Sequence, residues 1–461
     1  MKPHLSEQLT IFASIIKWSV YASVVGILSG CGTALFLKLL SAGRAFSGEH
    51  LPYQIFLPAA MLVSSALVRY LAPDAAGHGT EKVIEAVHQR MGRIQFKVVP
   101  VKLMATIVTL ASGGSAGKEG PCAQIGAGLA SVCGGLLRLP DVDRRKLVIC
   151  GISAGFSTVF GTPIAGALFG LEVLVLGQMM YEVLFPSFVA GIVGYHVATM
   201  LGVTYPHYPQ INISQINGVL FFEMLLLGIW CGVIALNFVK LLHIVQKLMD
   251  RFTWCWVDKA FTGGVYLVFI GMFVSKDYLG LGLDSIEAGL RGESLSAGAF
   301  FWKSLATSIT LGCGGSGGVL TPVFFIGTAA GNLFATLFQP HNMALFSAVG
   351  MVAMLAAAAN TPISASIMAM ELFGSSLGPY AAVACMASFL IVGYNSVYPS
   401  QLLGIQKSAS LSAPTGSQLG DIDYATVVPR EKSLLLFLQN RYRKLGERKR
   451  KRNKDSELDI K

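Results

Sequence analysis

Mostly apolar runs recur along the chain at 12–40, 55–71, 219–239, 264–274 and 343–358. Several reach the roughly 20 residues that an α-helix needs to cross a bilayer. Others, at 104–114 and 305–315, are shorter and end in glycines, a pattern that predicts helices stopping inside the membrane. Such breaks are tolerated only where protein or water covers the freed backbone groups. The pattern therefore predicts an all-α integral membrane protein of tilted and broken helices rather than a soluble domain.

Repetition is the next signal, because glycine and proline punctuation survives when other side chains drift. Gly77-His78-Gly79-Thr80-Glu81-Lys82-Val83 recurs in pattern as Gly280-Leu281-Gly282-Leu283-Asp284-Ser285-Ile286. Gly113-Gly114-Ser115-Ala116-Gly117-Lys118-Glu119-Gly120-Pro121 recurs as Gly314-Gly315-Ser316-Gly317-Gly318-Val319-Leu320-Thr321-Pro322. Thr162-Pro163-Ile164, followed by Glu172, recurs as Thr361-Pro362-Ile363, followed by Glu371. The offsets are 203, 201 and 199, so the chain divides into two similar halves. The expected organisation is an N-terminal tail at 1–16, a first membrane repeat at 17–215, a second repeat with a final pore helix at 216–406, and a basic tail at 407–461. Internal repeats of this kind are the usual plan of transporters, with a site where broken helices meet at the midplane.

The second repeated motif reads as a glycine-rich loop entering a helix, with Pro121 and Pro322 suited to a first helical turn. A helix start exposes unpaired N–H groups and the positive end of its dipole. Two such ends converging at membrane depth would hold a small anion loosely enough to release it. Glu119 lies at one of these starts, where an ionisable group in an apolar setting marks function. A carboxylate there can occupy the anion site and leave on protonation, acting as a gate. Glu172 and Glu371, placed symmetrically, read as structural acids bonded to backbone or to neighbouring helices.

Composition agrees: 53% of residues are hydrophobic, 13% are charged, and the mean hydropathy is +0.60. The formal charge of +10 suggests nucleic acid until it is located. Nine Lys/Arg and one Glu fall within 441–454, giving +8 there and about +2 elsewhere. That run predicts a cytoplasmic C-terminus, with contact to anionic lipid as an additional role, and no nucleic-acid partner. The eight cysteines are scattered without metal spacing, so no metal site or cofactor is expected. Leu28-Ser29-Gly30-Cys31 resembles a lipoprotein cleavage box, but apolar residues continue past it, so the stretch reads as the first membrane helix. Gly314-Gly315-Ser316-Gly317 satisfies a loose pattern of membrane serine proteases. A nucleophilic serine needs a base, and the only later histidine is His341 in a loop-like stretch, so no enzyme is expected.

With these motifs in view, residues from about 20 to 406 resemble the CLC chloride channel and transporter family. Gly117-Lys118-Glu119-Gly120-Pro121 matches its G-[KR]-E-G-P motif, and Gly318-Val319-Leu320-Thr321-Pro322 is similar to G-x-F-x-P. The resemblance implies two inverted repeats, a homodimer with one pore per subunit, both termini in the cytoplasm, and residence in a plasma or bacterial inner membrane. It implies that Glu119 is the gate and that His78, Gly79, Gly117, Lys118, Gly120, Gly318, Val319, Leu320 and Tyr398 surround a chloride or similar small anion. The backbone amides of Val319 and Leu320 would contact the ion, and the Tyr398 hydroxyl would close one side of the site.

The departures from the family pattern are informative. His78 stands where the family usually has a serine; its N–H can still donate, and a protonated ring would favour anions further. Val173 stands where proton-coupled members typically carry a second glutamate. Valine carries no proton, so the expectation is passive conduction, with proton-coupled antiport as the alternative. About 55 residues follow Gln406, too few for the paired nucleotide-sensing domains of some relatives, so regulation of that kind is not expected.

Overall fold

A computed structural model describes residues 3–50, 53–206, 208–211, 218–251, 255–423 and 426–430. The basic run at 441–454 lies outside the described residues. The first half contributes α1 (Pro3–His50), α2 (Leu57–Leu71), α3 (Thr80–Gln89), α4 (Val98–Ala111), α5 (Glu119–Leu136), α6 (Asp141–Phe160), α7 (Pro163–Glu172) and α8 (Tyr181–Met200). The second contributes α9 (Gly218–Arg251), α10 (Trp256–Phe273), α11 (Leu283–Leu290), α12 (Ala299–Gly312), α13 (Leu320–Phe338), α14 (Met343–Ala359), α15 (Pro362–Phe373) and α16 (Gly378–Ile391). Each helix of the first set has a counterpart in the second in the same order, as the repeated motifs predict.

Among the described residues, five helical segments are long and apolar enough to cross a membrane, α8, α9 and α13 included. By contrast α4 and α12 have 14 residues each, about 21 Å at the α-helical rise, short of the roughly 30 Å hydrocarbon core. Both stop in glycine turns, with Gly113 and Gly314 at positive φ of 96° and 95°. The turn after α4 leads into α5 and the turn after α12 into α13, so the two broken segments deliver two helix starts to the interior. α13 and α14 form the centre of the fold and are buried over most of their length, whereas α1, α8 and α9 leave apolar side chains exposed on the outside. An outer surface of exposed Leu, Ile and Phe is what lipid, not water, stabilises.

Two boundaries differ from the sequence reading. The division at 16/17 falls inside α1, because the apolar residues Leu9, Ile11, Phe12, Ile15 and Ile16 already belong to that helix. The expected final pore helix is replaced: past Ile391 the described residues form loops, a 3-10 turn and three two-residue strands. β2 (Leu402–Leu403) runs parallel to β1 (Val175–Leu176), and β3 (Leu411–Ser412) pairs with β4 (Val428–Pro429). Pro399, Gly404, Pro414 and Gly416 interrupt any helix here, and pairing with β1 uses the backbone groups that a helix would need.

Candidate functional site

The two glycine loops meet at the centre of the molecule. Gly117 N–H donates to the Gly318 carbonyl at 2.6 Å, and Gly318 N–H returns the bond to Gly117 at 2.7 Å. This pair joins equivalent positions of the two repeats and brings the starts of α5 and α13 together. The His78–Gly79 loop lies against them. A side chain on Gly120 would place its Cβ 2.0 Å from the His78 carbonyl oxygen, and one on Gly79 would sit 2.5 Å from the Gly120 carbonyl. Only glycine allows that approach. Gly117, Lys118, Glu119 and Gly120 therefore share one crossing with His78, Gly79, Gly318, Val319 and Leu320.

Glu119, 1% exposed, turns its carboxylate to the start of α13. Oε2 accepts from Thr321 N–H at 3.0 Å, and Oε1 accepts from the Thr321 hydroxyl. The same hydroxyl accepts from Lys118 N–H at 3.4 Å. The carboxylate thus takes the donor that a free helix start would offer to an anion. Beside it, a cavity of about 740 Å³ is lined by Lys38, Arg44, Lys118 and Lys276, opposed by Asp277 and Asp284. An excess of cations at such a mouth raises the local concentration of anions.

On the other side of the crossing, buried polar atoms are left without partners. Both ring nitrogens of His78, the Thr80 hydroxyl and the Tyr398 hydroxyl have no hydrogen-bond partner among the described residues. Their burial makes this costly, and an anion accepting from these donors is the physical remedy. The Tyr398 and Thr80 side chains are neighbours, and the His78 ring lies beside the Val397 backbone. Val173 is buried at the end of α7, and its carbonyl accepts from Gln401 Nε2 at 2.8 Å.

Glu172 and Glu371 clasp the repeats together. Glu172 accepts from Ile363 N–H and Ser364 N–H at the start of α15, and Glu371 accepts from Ile164 N–H and Ala165 N–H at the start of α7. Each acid satisfies the first turn of the other repeat's helix, which is the structural role expected of them.

Several residues at the site were not singled out from the sequence. Thr321 is the direct partner of Glu119. Gln401 ties the Tyr398 loop to Val173, to the Ala359 carbonyl and to Asn360. Lys102 donates to the carbonyls of Ala75 and Gly77, and Lys303 to those of Tyr278 and Gly280, both from fully buried positions. The lysines carried a usable signal: each is an isolated cation in an apolar helix, at the repeat offset of 201. Thr321 and Gln401 carried none, being ordinary polar residues until their partners are known.

A family model described as voltage gated chloride channel matches residues 60–393. A chloride/fluoride channel protein of Pseudomonas syringae pv. tomato is 35% identical over 409 residues, covering 87% of this chain and 90% of that protein. An uncharacterized protein of Methanocaldococcus jannaschii is 26% identical over 391 residues, covering 84% and 96%. Among solved structures, a CLC-type fluoride/proton antiporter superposes with a TM-score of 0.80 at 27% identity, covering 84% of this chain and 98% of that one. A slow cyanobacterial Cl⁻/H⁺ antiporter gives 0.72 at 22% identity, covering 81% and 94%, a likeness of fold. The chain belongs to the voltage gated chloride channel family, the CLC proteins, and is a membrane protein of that anion-transporting family.

Proposed function

We propose that the protein exchanges a small halide, fluoride or chloride, for protons, with Glu119 as the group that alternates between the two. The observation that carries this reading is the Glu119 carboxylate on the Thr321 N–H and hydroxyl. There it stands in for the anion. Protonation removes the charge that competes for those donors, so a halide enters as the acid leaves; release of the proton returns the carboxylate and expels the halide. His78 supports a small, strongly hydrated ion, since an imidazole N–H replaces part of the water shell that the ion gives up. The likeness to a fluoride/proton antiporter over nearly all of that chain favours exchange.

Passive conduction is the second reading, favoured by Val173, which offers no acid where proton-coupled members typically carry one. Purified protein in liposomes, with halide efflux and external pH recorded together, separates the two. Exchange predicts proton uptake in fixed ratio to fluoride or chloride loss, abolished by Glu119→Gln; halide loss without proton movement would overturn it. A homodimer with one pathway per copy, both termini in the cytoplasm and residence in a bacterial inner membrane belong to the same proposal. Cross-linking in native membranes and protease access to the termini test them.

A further inference from the structure

Glu81, the second residue of α3, is bonded differently from the structural acids. Glu172 and Glu371 have both carboxylate oxygens occupied. In Glu81, Oε1 accepts from the N–H and hydroxyl of Ser400, while Oε2 is inaccessible and has no partner among the described residues. The hydroxyls of Thr80, next to Glu81 in the chain, and of Tyr398 are neighbours in space without a hydrogen-bond partner, and Tyr398 is within electrostatic range of both Glu81 and Glu119.

The repeat supplies a second, independent observation. The counterpart of Glu81 is Asp284, which lines the cavity that holds Lys118. Because the halves are inverted, Glu81 faces the opposite side of the membrane from that cavity. It stands on the Tyr398 side of the site, where Val173 supplies no acid.

We propose that Glu81 is a second protonatable site on the pathway, handing protons between the solution on the Tyr398 side and Glu119. This rests on the exchange reading above. A proton from that solution enters at the partly exposed Glu81 side chain and comes to rest on Oε2, giving a carboxylic acid. The acid passes it to the Tyr398 oxygen, directly or through water, while the Tyr398 hydroxyl proton moves on to the Glu119 carboxylate. Glu81 is then a carboxylate again, Tyr398 is neutral, Glu119 is protonated, and one proton has moved from that solution to Glu119 with no change in any bond between heavy atoms.

The surroundings leave Glu81 free to do this. On its own helix Lys82 pairs with Glu85 at 2.8 Å, and Arg90 with Asp74 at 2.8 Å, so neither cation is committed to Glu81. Lys102 on α4 bonds backbone carbonyls of the His78 loop, Glu119 on α5 is held by Thr321, and Arg145 of α6 acts on His88 at the far end of α3.

The test uses full-length protein in liposomes, with proton and halide fluxes recorded for wild type, Glu81→Gln, Glu81→Asp and the exposed Glu287→Gln. The proton-to-halide ratio is expected to fall about tenfold or more in Glu81→Gln, to recover in part in Glu81→Asp, and to hold in Glu287→Gln. Glutamine keeps an oxygen for Ser400, and a monodisperse elution profile confirms its fold. An unchanged ratio in Glu81→Gln overturns the role of Glu81 while leaving exchange intact. Loss of both fluxes in Glu81→Gln and Glu81→Asp alike overturns it in favour of a structural role. Wild type that moves no protons defeats the exchange reading itself, and this inference with it.

Discussion

Truncating the two clasping glutamates tests the fold in numbers. Glu172→Ala removes the acceptor for three donors: Ile363 N–H at 3.0 Å, Ser364 N–H at 2.8 Å and the Ser364 hydroxyl. Glu371→Ala removes it for two, Ile164 N–H at 3.0 Å and Ala165 N–H at 2.7 Å. Hydrogen bonds between membrane helices average about 0.6 kcal/mol and reach about 1.7 kcal/mol. Three such bonds give a loss of roughly 2–5 kcal/mol for Glu172→Ala, and two give roughly 1–3 kcal/mol for Glu371→Ala. A charged acceptor moves both toward the upper end. Burial sharpens the order, since Glu172 is 7% exposed and Glu371 is only partly covered.

Reversible unfolding in mixed micelles reads these losses, and the double variant adds a second check. α7 and α15 cap each other, so losing one clasp loosens the other; the double variant is expected to cost about 1 kcal/mol less than the sum. Equal losses for the two single variants, or a larger one for Glu371→Ala, would refute the bond-counting argument. Strict additivity would refute the mutual capping.

The packing of the His78 loop on α5 predicts that Gly120→Ala abolishes halide efflux and lowers the yield of monodisperse protein, because its Cβ would meet the His78 carbonyl at 2.0 Å. Gly77→Ala, at a φ of 71° but with open space around it, is expected to cost only about 1 kcal/mol, read by thermal unfolding. Tyr398→Phe removes a buried hydroxyl whose neighbour is the Thr80 hydroxyl, so stability is expected to change by about 1 kcal/mol or less while halide efflux and fluoride-to-chloride preference change. Lys102→Met and Lys303→Met each free two buried carbonyls and are expected to destabilise similarly. Only Lys102, which holds the Gly77 carbonyl of the His78 loop, is expected to weaken halide binding as well, by about tenfold in calorimetric titration.

The repeat, the broken helices and the convergence of the glycine loops were legible because backbone demands write themselves into glycine and proline. No other residue tolerates the approach at Gly120, so the position announces itself. Glu119, Glu172 and Glu371 were legible for a related reason: a carboxylate in an apolar run needs a partner. The partners themselves were not readable. That Glu172 caps α15 and Glu371 caps α7 follows from the inverted arrangement, which sequence offsets alone do not orient. Nor was the pairing of Leu402–Leu403 with Val175–Leu176 readable, because two-residue strands nearly 230 residues apart leave no local pattern.

Comparing equivalent positions separates support from chemistry. Gly117 and Gly318, Lys102 and Lys303, and Glu172 and Glu371 are identical pairs, and each does the same backbone work in both halves. Where the halves differ, the site gains its function: Glu119 faces Leu320, His78 faces Leu281, and Gly120 faces Thr321 in the repeat alignment. A fully symmetric site would place a second carboxylate next to Thr321. Two carboxylates about 4 Å apart repel by roughly 4 kcal/mol even at an effective dielectric constant near 20. Matching Gly120 with glycine at 321 would in turn remove the hydroxyl that donates to Glu119. The scaffold can be duplicated because its paired lysines and glutamates are each held by backbone groups of separate elements, whereas the gate cannot, and a single gating acid on a paired frame is the arrangement that leaves room for an anion.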